Sequence, residues 1–208
     1  MDPMPESPYL YLAATIDLDR AVAWLADANA QRPAARRLLM AVLFLKAVAC
    51  SLREVPELNG FWIDGRSQPS TVVHLGVALA RPRAEPVIPV LVDADRRDLD
   101  DLMQALLAIV RRVRAGRPHP SDLGDPTFTV TSLGELGVQA VFPSVVPPQV
   151  GGAGFGKVVE QPSAVAGAIV CSPVVTATLA ADHRVVDGHR GARFLAAVER
   201  RLGEPEAL

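Results

Sequence analysis

A histidine and an aspartate lie four residues apart near the end of the chain, in the segment Asp182-His183-Arg184-Val185-Val186-Asp187-Gly188. Imidazole changes its protonation state near neutral pH, so a histidine can take a proton from one group and return it to another. The glycine that closes the segment favours a short turn before the helical pattern that follows. The segment therefore predicts that His183 is a general base held on a turn.

Asp187 is open to several interpretations: a metal ligand, a second base, a residue that holds the loop, or the cap of the next helix. Its position four residues after His183, next to Gly188, favours the role of holding the loop. A carboxylate at a helix start also accepts hydrogen bonds from free backbone N–H groups, so the cap is compatible with that role. Gly188 supplies a backbone conformation that other residues resist.

Length and composition favour one domain. The chain has 208 residues, of which 50% are hydrophobic, enough for one sizeable core in residues 9–208 after a disordered tail at 1–8. A net charge of -2 offers no basic field for nucleic acid. The apolar run at 38–52 is short and contains Lys46, which favours a core helix over a membrane span. With no secretory signal visible, we expect a cytoplasmic protein.

No metal site is predicted. His74, His119 and His189 lack partners at metal-ligand spacing, and the two cysteines, Cys50 and Cys171, are far apart in the sequence. The glycine-rich run at 151–156 does not open a helix after a strand, as a dinucleotide-binding loop would require.

Hydrophobic periodicity predicts alternating helices and strands. The strands are expected at residues 9–18, 72–80, 87–92, 127–132, 165–170 and 174–179. The helices are expected at residues 18–29, 33–53, 99–113 and 191–202. This mixture indicates an α/β protein, in the form of an α+β two-layer sandwich whose mixed sheet is flanked by helices.

Four segments occur in order along the chain. They are residues 39–59, which end in Val55-Pro56-Glu57-Leu58-Asn59, the pair 75–78 and 87–90, the stretch 128–134 with 147–149, and 182–188 followed by 192–195. In this order they resemble the catalytic domain of 2-oxoacid dehydrogenase acyltransferases, also called dihydrolipoamide acyltransferases. The resemblance implies a fold related to that of chloramphenicol acetyltransferase.

The resemblance implies an acyltransferase that uses acetyl-CoA as acyl donor, with His183 as the general base. Thr131 matches the hydroxyl residue that stabilises the oxyanion in the family, and Asp187 matches an aspartate that holds the site. Ser132 competes with Thr131, because neighbouring strand residues point to opposite faces. The resemblance also implies a homotrimer with active sites between chains, and it places residues 151–156 near the acyl-carrier channel. It identifies no CoA-contacting residues.

The acceptor is predicted from departures from the family pattern. The sequence shows no lipoyl domain and no covalently bound lipoate, and Ala180-Ala181 stand where the family often has Ser-Tyr. Freestanding relatives in tetronate pathways acetylate hydroxyl groups, so we expect O-acetyl transfer to a small natural-product intermediate. The alternative is the dihydrolipoamide acyltransferase core of a 2-oxoacid dehydrogenase complex, acting on a lipoyl domain from another chain. A third hypothesis is a scaffold subunit without catalytic activity.

Overall fold

The computed structural model describes residues 9–81, 84–165 and 167–208. The predicted disordered tail, residues 1–8, lies outside this part of the chain, as do residues 82, 83 and 166. Within it, a mixed sheet carries helices on one face, which confirms the predicted fold class.

In the described part of the chain, the main sheet has eight strands, which come from residues 9 to 182. They are β1 (Tyr9–Asp17), β4 (Leu75–Arg81), β5 (Ala84–Val87), β6 (Val90–Leu91), β7 (Phe128–Ser132), β8 (Gly151–Phe155), β9 (Val159–Val165) and β10 (Ala168–Asp182). A separate hairpin consists of β2 (Gly60–Ile63) and β3 (Arg66–Pro69). The helices are α1 (Asp19–Ala30), α2 (Met40–Leu52), α3 (Leu99–Arg114) and α4 (Gly188–Gly203).

The order of the strands places the last long strand in the interior of the sheet. The order is β1-β10-β8-β7-β4-β5, with β6 paired to β4 and β9 paired to β10. Strand β7 runs parallel to both β4 and β8, and the other pairs are antiparallel. The segment after β10, which contains His183, therefore leaves the sheet between β1 and β8.

Helix α2 is the centre of the helical layer. Nearly all of its side chains are buried, and the ring of Phe44 stacks on Phe155 of β8 with ring centroids 4.5 Å apart. Lys46 is the charged exception in this helix. Its ammonium donates hydrogen bonds to the backbone carbonyls of Asp95 and Arg97, at 2.8 and 2.5 Å, which compensate for burial of the charge.

The predicted helix at 33–53 is wrong over its first third. A short 3-10 turn, Ala34–Arg36, comes first, and α2 begins only at Met40. The Asn29 side chain accepts from the Leu38 N–H at 2.8 Å and donates to the Leu38 carbonyl at 2.9 Å. These two bonds hold the chain extended just before the helix, although its composition favours helix.

The prediction of two strands at 165–170 and 174–179 is also wrong, because β10 is continuous. Pro173 interrupts the apolar pattern but not the strand. Pairing of β10 with β1 begins only at Val174, the residue after Pro173, so the nitrogen of Pro173 lies outside that pairing. The Pro173 carbonyl accepts a hydrogen bond from the Leu18 N–H at 2.8 Å. Proline is tolerated at such a position because no ladder hydrogen bond is lost.

The predicted strand at 87–92 is split into β5 and β6. Pro89 lies between them, and its carbonyl accepts a hydrogen bond from the Val77 N–H at 2.9 Å.

Among the described residues, no helix is both long enough and apolar enough to cross a membrane.

Candidate active site

His183 lies on the turn between β10 and α4, and its side chain is exposed. Backbone hydrogen bonds shape this turn. The carbonyl of Asp182 accepts from the N–H groups of Val185 and Val186, both at 3.0 Å, and the Asp182 N–H donates to Val150 at 2.7 Å. The backbone on either side of His183 is thus held to the sheet, while its imidazole is free to meet a substrate.

Asp182 and Arg184, the two neighbours of His183, form an ion pair with each other. The Arg184 Nε lies 2.9 Å from Oδ1 of Asp182, and Nη2 lies 2.5 Å from Oδ2. The Arg184 backbone N–H also donates to Oδ1 at 3.0 Å. The Asp182 side chain is almost fully buried, at 3% exposure. This two-point arrangement fixes the orientation of both side chains.

Two opposing effects set the pKa of Asp182. Burial by itself raises the pKa of this carboxyl, because it disfavours the charged form. Hydrogen bonds from the side chain and the backbone of Arg184, together with its positive charge, outweigh burial and leave the pKa of Asp182 below its ordinary value. The carboxylate is therefore charged at neutral pH and holds Arg184 in place.

Trp62 also contacts Arg184. The guanidinium carbon of Arg184 lies 4.5 Å from the centre of the Trp62 ring, within the range of a cation–π contact. Trp62 belongs to the β2–β3 hairpin, which is more than a hundred residues away in sequence. The turn that carries His183 is thus in contact with a distant part of the chain.

Asp187 is the N-cap of helix α4. Its carboxylate accepts from the Arg190 backbone N–H at 2.8 Å and pairs with the Arg190 guanidinium at 2.8 Å. The backbone hydrogen bond from Arg190 is the main cause of a pKa of Asp187 below its ordinary value. Arg190 also contacts Glu57 at 3.1 Å. The structure therefore places Asp187 where the turn enters the helix, and its part in catalysis stays a prediction. The backbone role expected of Gly188 is wrong, because its φ is not left-handed and a Cβ there would meet open space.

Thr131 and Ser132 lie near the end of β7 and face opposite sides of the sheet. Thr131 is in register with Gly154 and, across β8, with Thr178, whose hydroxyl donates to the Val141 carbonyl. Ser132 faces the helical layer. It lines an apolar cavity of about 460 Å³ between that layer and the sheet.

A single chain does not bring His183 to Thr131. The register of the sheet aligns Thr131 with Thr178, and His183 comes five residues after Thr178. Five residues of strand cover roughly 17 Å, and the two strand spacings between β7 and β10 add about 10 Å across the sheet. A base and an oxyanion donor must both reach one thioester carbonyl, so these two cannot serve the same site within one chain.

Glycines in β8 and just after it allow a chain segment to cross the sheet closely. A Cβ atom on Gly154 would lie 2.1 Å from the carbonyl oxygen of Val141, and one on Gly156 would lie 1.9 Å from that of Gln139. Both distances are too short for any side chain. These glycines therefore serve backbone packing on the Thr131 face of the sheet.

Among the residues that the structure describes, no group of three or more His, Cys, Asp or Glu could hold a metal ion.

The family model for the catalytic domain of 2-oxoacid dehydrogenases acyltransferase matches residues 2–208. The chain belongs to this family. That membership confirms the predicted family and its enzyme class, an acyltransferase.

Relatives of this acyltransferase domain agree with the family model. A dihydrolipoyllysine-residue acetyltransferase component of the acetoin cleaving system of Bacillus subtilis (strain 168) is 34% identical over 163 residues, 78% of the chain. The chain spans 41% of the length of that relative. A crystal structure of dihydrolipoamide acetyltransferase from Azotobacter vinelandii is 26% identical, with a TM-score of 0.91 over 97% of the chain and 84% of its own.

A solved chloramphenicol acetyltransferase matches the acyltransferase domain in fold alone. It is 16% identical, and it has a TM-score of 0.61 over 95% of the chain and 89% of its own length. The predicted relation in fold is thereby confirmed.

Two residues of the acyltransferase domain that surround the turn were not assigned from the sequence. Asp182 lies inside the predicted motif, and its spacing of two from Arg184 was the available signal for an ion pair. Trp62 had no such signal, because its contact with Arg184 joins elements that are far apart in sequence.

Proposed function

We propose that this domain is a dihydrolipoamide acyltransferase that moves an acyl group, most simply acetyl, between CoA and the dihydrolipoyl group of a lipoyl domain. The observation that carries the proposal is the exposed His183, whose two neighbours in the sequence are held by an ion pair with each other, in a chain of this family. The names of the two dihydrolipoyl acetyltransferases described above support the dihydrolipoyl acceptor over the hydroxyl acceptor expected from the sequence.

The reaction needs a base and an oxyanion donor, and His183 and Thr131 have suitable groups. The imidazole of His183 takes the proton of the acceptor thiol, and the thiolate sulfur attacks the carbonyl carbon of the acyl-CoA thioester. The hydroxyl of Thr131 donates a hydrogen bond to the oxyanion of the tetrahedral intermediate. When the intermediate collapses, the C–S bond to CoA breaks, and the CoA thiolate takes the proton from the imidazolium.

The distance between His183 and Thr131 within a chain supports a site built from two chains. We infer a homotrimer, in which His183 of one copy and Thr131 of the next face the same substrate. A closed ring of three identical chains contains three such head-to-tail interfaces. Acyl-CoA and the dihydrolipoyl acceptor then enter the site between the copies. Light scattering after size-exclusion chromatography distinguishes a lone trimer from a larger shell.

An assay that separates CoA from acetyl-CoA by chromatography tests the acceptor, because transfer to a thiol frees one thiol and consumes another. Acetyl-CoA is supplied with dihydrolipoamide in one arm and with a panel of small primary alcohols in the other. Turnover with dihydrolipoamide and none with the alcohols supports the proposal. Turnover with an alcohol alone would restore the hydroxyl acceptor, and no turnover with either would favour the non-catalytic scaffold.

A further inference from the structure

The position of Trp62 is set by backbone contacts that do not involve Arg184. Trp62 pairs with Ser67 in the β2–β3 hairpin, and its N–H donates to the Pro148 carbonyl at 2.7 Å. The next backbone contacts join Gly60 to Val150, at 3.0 Å. The indole ring is therefore presented by a fixed scaffold, and removal of the ring alone leaves these contacts in place.

Arg184 uses two different parts of its guanidinium for its two partners. Nε and Nη2 of Arg184 meet the Asp182 carboxylate, and the guanidinium carbon lies over the Trp62 ring, 4.5 Å from its centre. A planar, delocalised guanidinium is suited to both contacts at once. The Arg184 side chain is still 31% exposed, so without the ring one side of the ion pair would be open to water.

We propose that Trp62 is a positioning residue for His183, acting through Arg184. The proposal rests on the acyl transfer proposed above, in which His183 is the base. The ring restricts Arg184 to the conformer that reaches Asp182, and that ion pair holds the two residues on either side of His183. Trp62 itself touches neither the substrate nor the imidazole in this scheme.

The backbone of the same hairpin also reaches the turn. Val150 donates to the Gly60 carbonyl at 3.0 Å, and Asp182 donates to the Val150 carbonyl at 2.7 Å. The hairpin is therefore joined to the turn by a backbone route and by a side-chain route. Only the side-chain route depends on the aromatic ring, so substitution of Trp62 tests that route separately.

Hydrogen exchange and steady-state kinetics together test the proposal on Trp62→Leu, with Trp62→Phe as the conservative variant. The amides of Val185 and Val186, which donate to Asp182, report whether the turn is closed. Trp24→Leu is the matched control, because Trp24 is the other tryptophan of the chain and lies on α1, packed partly against the core.

We expect Trp62→Leu to speed exchange of these two amides and to lower kcat about tenfold, with little change in KM, because a slight misplacement of a base slows chemistry more than binding. Trp62→Phe should have amide exchange rates and a kcat close to those of the wild type, and Trp24→Leu should change neither quantity. Unchanged exchange in Trp62→Leu, or a rise in KM alone, would overturn the proposal. If the wild type transfers no acyl group to dihydrolipoamide, the proposed function fails, and the exchange measurement still decides the effect of Trp62 on the turn.

Discussion

The carboxylate of Asp182 and the guanidinium of Arg184 form a two-point ion pair that spans His183. The pair joins a residue that is almost fully buried to one that lies partly at the surface. His183 lies between them in the sequence, so its backbone is fixed while its imidazole remains accessible. Such a turn provides the orientation that a general base requires without covering the base.

Substitution of His183 should remove activity and leave the fold intact. We expect His183→Ala to reduce kcat for acetyl transfer to dihydrolipoamide by roughly 10²–10⁴-fold, the usual contribution of a positioned base. Because the side chain is exposed, the free energy of unfolding should change by less than about 0.5 kcal/mol. Formation of CoA, followed by chromatography, and urea denaturation measure the two quantities. His189→Ala, an exposed histidine six residues later, is the control and should retain activity.

Two inactive variants should restore each other if the active site lies between chains. His183→Ala and Thr131→Val are each expected to be nearly inactive as homotrimers. When the two chains are coexpressed and mix at random, about a quarter of the interfaces combine an intact His183 with an intact Thr131. Activity should then recover to that fraction of the wild-type rate. A mixture as inactive as its components would show that both residues act within one chain.

Replacement of Asp182 should affect stability as well as activity. Asp182→Asn keeps the shape of the side chain but removes the charge that holds Arg184, and we expect a loss of about 2 kcal/mol in the free energy of unfolding. The value of kcat should fall because the turn around His183 loosens. Denaturant titration gives the first quantity. Asp187→Asn, at an exposed carboxylate, is the comparison and should destabilise less.

The turn should also be sensitive to acid. The pKa of Asp182 is lowered in the folded protein, so the folded state favours the charged carboxylate. Its contribution to stability is therefore present above the unfolded pKa of about 3.9 and is lost as the pH falls through the folded pKa. Thermal melts from pH 7 down to pH 3 should show this loss below about pH 4, and the loss should be smaller in Asp182→Asn.

Asp187 should matter more for the start of α4 than for the proton transfer. Asp187→Ser keeps a side-chain acceptor at the N-cap, whereas Asp187→Ala removes it. We expect Asp187→Ala to lower kcat by less than the ~10²-fold expected for loss of a base, and Asp187→Ser to restore it. If both variants were as inactive as His183→Ala, Asp187 would have a direct part in the chemistry.

Much of the fold followed from local patterns. The alternation in β1 and the apolar stripe of α3 identify those elements, because the burial of each is periodic in the sequence. Strand β8 is different, since its glycines carry no propensity for a strand, and Gly154 is required only by the segment that crosses it. The predicted start of α2 is wrong for a similar reason, because the side chain of Asn29, which belongs to α1, forms hydrogen bonds with the backbone of Leu38.

The residues of the candidate site also fall into two groups, those that a local pattern identifies and those that depend on the packing of distant elements. His183 could be selected from its motif, and the pairing of Asp182 with Arg184 is local, so short-range rules bear on both. The contact of Trp62 with Arg184 depends on how the β2–β3 hairpin is placed against the end of β10. No single-sequence pattern encodes that placement, because it results from the packing of elements that are distant along the chain.

The buried ammonium of Lys46 has a practical consequence. The chain contains only one other lysine, Lys157, and that residue is exposed. An amine-reactive dye should therefore attach at one side chain per copy, besides the α-amino group, without any engineered cysteine. Lys157 lies two residues after β8, the strand that separates β7 from β10, so energy transfer between labelled copies would report their spacing in an assembled particle.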